Sequence, residues 1–198
     1  MIENLAAGST AFTSNAFLVT GERVVLVDPG SEFDVVSAIR DRAGGPEADG
    51  GLDAVVLTHT HPDHVGNLAA VKQAFEVPVF GFDPDFDGVD HAVADGETLR
   101  MGDHEYLAIH TPGHKDDHLC LYAEAPGISF VGDLVFQGGS FGRTDLPGAD
   151  RATLIESIDR LLDAVDPDLS VFYSGHGPPV TDDPYHQIEL ARQFAATA

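Results

Sequence analysis

The sequence contains no tryptophan, one cysteine and only two lysines among ten basic residues. The lone Cys120 excludes an intramolecular disulfide and a cysteine-rich zinc site. It lies in the alternating run His118-Leu-Cys-Leu-Tyr122, which reads as a half-buried strand, so its thiol is expected to pack, not to react. No apolar run approaches the ~18 to 20 residues that cross a bilayer, and Met1-Ile-Glu-Asn-Leu-Ala-Ala has no basic stretch followed by an apolar one. Neither a membrane span nor a secretory signal is expected, and the cytoplasm is the expected location. Positive charge is scarce too, with 10 basic against 33 acidic residues and a net charge of -23. Phosphate backbones are held by clustered lysine and arginine, so a nucleic-acid partner is excluded. The acidic residues are spread along the chain and do not form a tail. That suggests a strongly hydrated surface and a halophilic source, since -23 far exceeds the ~2 to 8 of small domains.

What is present is enough for a folded core. With 198 residues, 43% apolar and 22% charged, the chain reads as a single domain spanning 1–198. Strand signals fall at 11–20, 22–28, 52–57, 77–81, 105–109, 119–122, 128–135 and 169–173. Helices are expected after Ser31, with Ser31 as N-cap and Asp34 three residues on, over Pro62 to Phe75, after Asp150, and over 183–195. Gly44, Gly45, Pro46, Gly50 and Gly51 mark a loop. Strand clusters with flanking helices imply an α/β protein of two mixed β-sheets packed face to face beneath helices, a four-layer αββα sandwich.

The most specific feature is Thr58-His59-Thr-His61-Pro-Asp63-His64, where a buried strand stops and a helix starts. In extended chain residues i and i+2 point the same way, so His59 and His61 can face one ion, while the turn swings Asp63 and His64 toward a second position. Imidazole and carboxylate are ligands that zinc and iron accept. Four candidates cannot close two metal sites, so others must come from distant strand ends. His114 in Thr-Pro-Gly-His, Asp133 after Phe130-Val-Gly132 and His176 in Ser-Gly-His-Gly-Pro all qualify.

These motifs, in this order, resemble those of the metallo-β-lactamase superfamily over essentially the whole chain: Val27-Asp28-Pro-Gly30, His59-x-His61-x-Asp63-His64, His114, Asp133 and His176. The resemblance implies that His59, His61 and His114 bind one metal and that Asp63, His64 and His176 bind the other. Asp133 would bridge the two ions together with a hydroxide, and Asp28 would accept a hydrogen bond that orients a ligand or the cluster loop. Two divalent ions are implied, zinc first, with iron or manganese as other options.

Phe141-Gly-Arg-Thr-Asp-Leu-Pro-Gly148 resembles a loop of short glyoxalase II-like hydrolases and, in part, of persulfide dioxygenases. The implied activity is hydrolysis of an acyl thioester of a low-molecular-weight thiol, by attack of the metal-bridging hydroxide, with Asp63 and Asp133 essential. Only about twenty residues follow Gly177-Pro178, against the C-terminal glutathione-holding region of full-length glyoxalase II. After His114, Lys115-Asp-Asp-His118 replaces the small turn common in relatives, and His118 is expected to line the cleft. Lys115 and Arg143 are candidates to bind a substrate carboxylate, or else surface ion pairs. His91, His104, His110 and His186 read as ordinary polar positions. The rival reading is a mononuclear iron persulfide dioxygenase using His59, His114 and Asp133. A third is a non-catalytic metal- or partner-binding module.

The acidic surface generates the first prediction. If it is a salt-adapted one, the melting temperature rises with KCl concentration from low to molar salt, followed by circular dichroism; undiminished stability at low salt excludes the adaptation.

Overall fold

The computed structural model describes residues 1–42 and 51–197, and of the loop expected at 44–51 all but Gly51 lies outside the described residues. The chain divides into two compact units, Met1–Val93 with Arg100–Asp103, and Ala94–Leu99 with His104–Ala198.

The first unit holds a six-stranded mixed sheet in sequential order. Strands β1 (Ile2–Asn4), β2 (Phe17–Val19) and β3 (Val25–Val27) are antiparallel. β4 (Ala54–Val56), β5 (Val79–Gly81) and β6 (His91–Ala92) continue from β3 in parallel. β2, β3 and β4 are wholly buried, which is why they read as unbroken apolar runs. The strand expected at 11–20 contracts to β2. Upstream of it the Asn4 side chain takes over, accepting from the Ala6 and Ala16 amides and donating to Asn15. β1 and β6 were not legible, being short and without an apolar alternation.

Two helical expectations need correction. Helix α1 (Val35–Arg42) is capped by Asp34 and not by Ser31: Asp34 accepts from the Ser37 amide at 3.0 Å and from its hydroxyl at 2.8 Å. Ser31 instead donates its hydroxyl to the Phe12 carbonyl. The helix expected over Pro62 to Phe75 is broken into α2 (Pro62–Val65) and α3 (Leu68–Phe75). The Gly30 backbone competes for its ladder: Gly30 donates to the His64 carbonyl at 3.0 Å and accepts from the Asn67 amide at 2.9 Å. Gly66 fits the break because a Cβ there would lie 2.6 Å from Ser31 Cβ. Val35 and Ile39 of α1 and Leu68 and Val71 of α3 bury against Leu18, Leu26, Val55 and Val79 of the sheet. Each such side chain contributes about 1.5–3 kcal/mol relative to exposure.

The second sheet has the order β11-β10-β9-β8-β7. Its strands are β7 (Thr98–Met101), β8 (His104–His110), β9 (Leu119–Ala123), β10 (Ile128–Gly132) and β11 (Val171–Ser174). β8, β9 and β10 are antiparallel, and β11 joins β10 in parallel. Cys120 is completely buried, not half-buried, because β9 is the central strand and all five of its residues are covered. Burial pushes its thiol up to about 12, which keeps it protonated and unreactive. Helix α4 (Arg151–Ala164) starts at Asp150, which accepts from the Thr153 amide at 2.8 Å. It packs Leu154, Ile158 and Leu161 with Ile188, Ala191 and Ala195 of α5 (Pro184–Thr197) against Cys120, Val131 and Phe172. No helix among the described residues is long and apolar enough to cross a membrane.

Asp90 ties two elements of the first unit together, accepting from Lys72 of α3 at 2.8 and 2.9 Å and from the Val79 amide of β5 at 2.9 Å. The Lys72 ammonium first, then the Val79 N–H, hold its carboxyl below the ordinary 3.8. A depressed folded-state value means that this stabilisation is present above pH 3.8 and is lost as pH falls through the folded value. Acid should therefore lower the melting temperature, and Asp90→Asn should show a smaller drop below pH 4 than the parent; identical acid profiles would remove Asp90 from the account.

Candidate metal centre

The first unit builds its part of the site on the loop between β4 and α2. His59 and His64 are buried, at 1% and 0% exposure, while His61 and Asp63 are partly exposed. Pro62 fixes the first helical position and leaves His61 extended just ahead of it. His59 Nε2 and His61 Nδ1 stand 3.1 Å apart, and the His59 and His64 rings lie 4.0 Å apart.

Asp28 organises this loop from the end of β3. Its backbone takes the left-handed conformation at φ 54°, which aspartate tolerates better than most residues. Its carboxylate accepts from the Thr58 amide at 2.8 Å, from the Thr58 hydroxyl at 2.6 Å and from His64 Nδ1 at 2.8 Å. A carboxylate only accepts, so His64 carries a proton on Nδ1, and in the neutral ring the lone pair is on Nε2. The Thr58 hydroxyl proton is already given to Asp28, so Thr58 Oγ1, 3.2 Å from His59 Nδ1, is left to accept from that ring. In the neutral ring His59 Nε2, 3.1 Å from His61 Nδ1, is then the nitrogen with the lone pair. Thr58 thus links Asp28 to His59, a part that the motif contained but its spacing did not single out.

The second unit places its candidates just beyond strand ends. His114 follows β8 and is buried at 4% exposure. Gly113, at φ 124°, turns the chain into it so close to α4 that a Cβ would lie 2.3 Å from the Leu154 nitrogen. His114 Nδ1 donates to the Arg143 carbonyl at 2.9 Å, and its Nε2 lies 3.5 Å from Asp133 Oδ2. His176, after β11, brings its Nε2 to 3.6 Å from the same oxygen. Asp133 itself follows Gly132 at φ 47°, where the β10–β11 register shifts. His118 corrects an expectation: it is fully buried and lines no cleft, hydrogen-bonded to Thr111 and to the Asp133 amide.

The two candidate cations are engaged elsewhere. Arg143 forms a bidentate pair with Asp145 at 2.8 and 2.9 Å, which raises the guanidinium and lowers the Asp145 carboxyl, and both side chains are exposed. Lys115 lies 3.6 Å from the buried Asp117. What Arg143 gives His114 is its main-chain carbonyl, which no residue-type argument singles out.

The donors suit a divalent ion. Two nitrogens bonded to zinc at ~2.0–2.1 Å in tetrahedral geometry sit roughly 3.3 Å apart, and the pairs within each unit are separated by 3.1, 3.5 and 3.6 Å. All are imidazole or carboxylate, the mixture that zinc, iron and manganese share.

A family model described as the metallo-beta-lactamase superfamily matches residues 9–88 and 81–176. The chain belongs to that superfamily. Its two mixed sheets flanked by helices are the metallo-β-lactamase fold. BLEG-1, described as a B3 metallo-beta-lactamase, superposes with a TM-score of 0.79 at 27% identity, covering 98% of this chain and 99% of that one. TTHA1623 in a di-iron-bound form gives 0.72 at 32% identity, covering 91% and 94%. Hydroxyacylglutathione hydrolase GloC of Haemophilus influenzae is 31% identical over 87% of this chain and 89% of its own. Hydroxyacylglutathione hydrolase of Klebsiella pneumoniae is 37% identical over 65% of this chain but only 50% of its own length. This superfamily member is a metallo-hydrolase by that kinship, and its histidine and aspartate groups imply a divalent metal.

Gly142 lies against two of the three candidate ligands of the second unit: a Cβ there would lie 2.1 Å from the Asp133 carbonyl oxygen and 3.0 Å from His114 Cβ. Gly142→Ala should push the two apart and weaken zinc binding by about tenfold or more. Competition titration with a chromophoric chelator measures this, and unchanged affinity would show that neither ligand depends on this contact.

Proposed function

We propose that the protein is a metal-dependent hydrolase of acyl thioesters, glyoxalase II-like, acting on a conjugate of a small thiol. In this reading His59, His61 and His114 hold one divalent ion, Asp63, His64 and His176 hold a second, and Asp133 serves both. Both units then work as one domain. The observation that carries it is the contact of His59, His64 and His114 through Nδ1 to an oxygen of the chain, which orients each ring so that Nε2 is the nitrogen offered to an ion. The kinship to hydroxyacylglutathione hydrolases supports the substrate class.

When bound, a pair of divalent ions acidifies a shared water toward neutrality and polarises the substrate carbonyl. The chain's own residues hold and aim. Asp28 fixes His64 directly and His59 through Thr58, the Arg143 carbonyl fixes His114, and the Asp133 and Asp63 carboxylates offset positive charge. In the reaction the oxygen of water bonds to the thioester carbonyl carbon and the C–S bond breaks. Sulfur leaves as a thiolate, which needs no strong acid from the protein, and the water protons pass to solvent and thiol. Zinc is the metal proposed, with iron or manganese as alternatives; the di-iron-bound relative supports iron.

Metal analysis, oxygen uptake and a thioester panel on one preparation test this. Two zinc per chain with thioester hydrolysis and no oxygen uptake is the expected result; one iron with persulfide-dependent uptake would replace it with an oxidative enzyme. Asp133→Ala should lower turnover by about a hundredfold or more, and full activity would end the proposal. Lys115→Ala and Arg143→Ala should raise KM more than they lower kcat if either cation meets a substrate carboxylate. No change would leave both as the ion pairs seen here.

A further inference from the structure

Beneath Asp133 runs a continuous polar chain that neither the family motifs nor the proposed mechanism uses. The Asp133 amide donates to His118 Nε2 at 3.0 Å, and His118 Nδ1 lies 2.8 Å from Thr111 Oγ1. The Thr111 hydroxyl donates to Cys120 Sγ at 3.4 Å, and the thiol donates to the Val131 carbonyl at 3.7 Å. Thr111, His118 and Cys120 are each completely buried.

Both ends of this chain are backbone groups of fixed character. An amide N–H can only donate, so His118 Nε2 must accept and its proton must sit on Nδ1. Nδ1 then donates to Thr111, whose own proton is directed to the sulfur, and the carbonyl at the far end can only accept. The two ends are Val131, within the register shift between Phe130 and Gly132, and Asp133, just past the end of β10. There the Asp133 amide has left the ladder, and a buried amide without an acceptor is costly.

From this we infer that His118 is a positioning residue: a neutral imidazole, locked as the Nδ1-protonated tautomer, that anchors the Asp133 backbone and so sets the direction of its carboxylate. The inference rests on the metal-site reading for its consequence, but the tautomer and the anchor stand without it.

The test uses the full chain. Nitrogen-15 NMR of histidine-labelled, metal-free protein should show His118 protonated on Nδ1 and bare on Nε2; the opposite tautomer overturns the inference whether or not metal binds. His118→Phe keeps the shape and removes the acceptor, whereas His118→Gln supplies an amide oxygen in its place. Cobalt titration, read by its visible spectrum, should show affinity lowered about ten- to a hundredfold in His118→Phe and restored to within about threefold in His118→Gln. Equal affinity in all three, or no rescue by glutamine, overturns the positioning role. If His118→Phe does not fold, Thr111→Val takes its place: it leaves His118 present without its Nδ1 acceptor and should weaken cobalt binding severalfold, and unchanged affinity again overturns the role. A parent protein that binds no cobalt at all refutes the metal-site reading and leaves the NMR result to decide the anchor.

Discussion

An imidazole can offer a lone pair in only one direction once its other nitrogen has given a proton to a fixed acceptor, and the site depends on that constraint. His64 gives its Nδ1 proton to Asp28, His59 to Thr58, and His114 to the Arg143 carbonyl. One carboxylate therefore aims two rings, since Thr58 can accept from His59 only because its own hydroxyl proton is held by Asp28. The acceptors differ in type, but each takes up Nδ1 and so directs Nε2 to the opposite side of the ring. Neutral, oriented imidazole is the form that binds a metal, and neighbours that fix it commonly govern affinity nearly as strongly as the ligands do.

The fold delivers those acceptors at its turns and breaks. Asp28 leaves β3 in a left-handed turn, and Gly30 immediately behind it interrupts the helical ladder after His64. The interruption stops α2 after one turn, so the histidine stays on a short, rigid corner instead of within a long helix. In the second unit a register shift plays the same part, turning Asp133 out of β10 while its amide is caught by His118. Gly113 passes the α4 backbone at Leu154, and Gly142 passes Asp133 and His114, at distances that a methyl group would forbid.

The charge balance shapes the surface differently from the site. Scarce cations are matched to carboxylates: Arg42 to Glu3, Arg100 to Glu22, Arg160 to Asp95 and Arg192 to Asp159, besides Arg143 to Asp145. Exposed pairs of this kind contribute little to stability, about 0–1 kcal/mol each. They do occupy the guanidinium groups, so a substrate carboxylate would have to displace an internal partner to be bound by one of them.

Much of this was legible in the residues. The His59–His64 motif, its place between a strand and a helix, and the later candidates His114, Asp133 and His176 beyond strand ends could be read because each is a local pattern. The apolar runs of β2 to β4 and the period of α4 were equally plain. The cap of α1, the break after α2 and the complete burial of Cys120 were not, since Gly30, Asp34 and the flanking strands β8 and β10 decide them by competition that no window of sequence contains. The amino-acid order by itself determined which side chains can serve as ligands. Only the tertiary structure decided which nitrogen of each ring faces outward, because the acceptors that settle it, Asp28 for His64 and Arg143 for His114, lie 36 and 29 residues away.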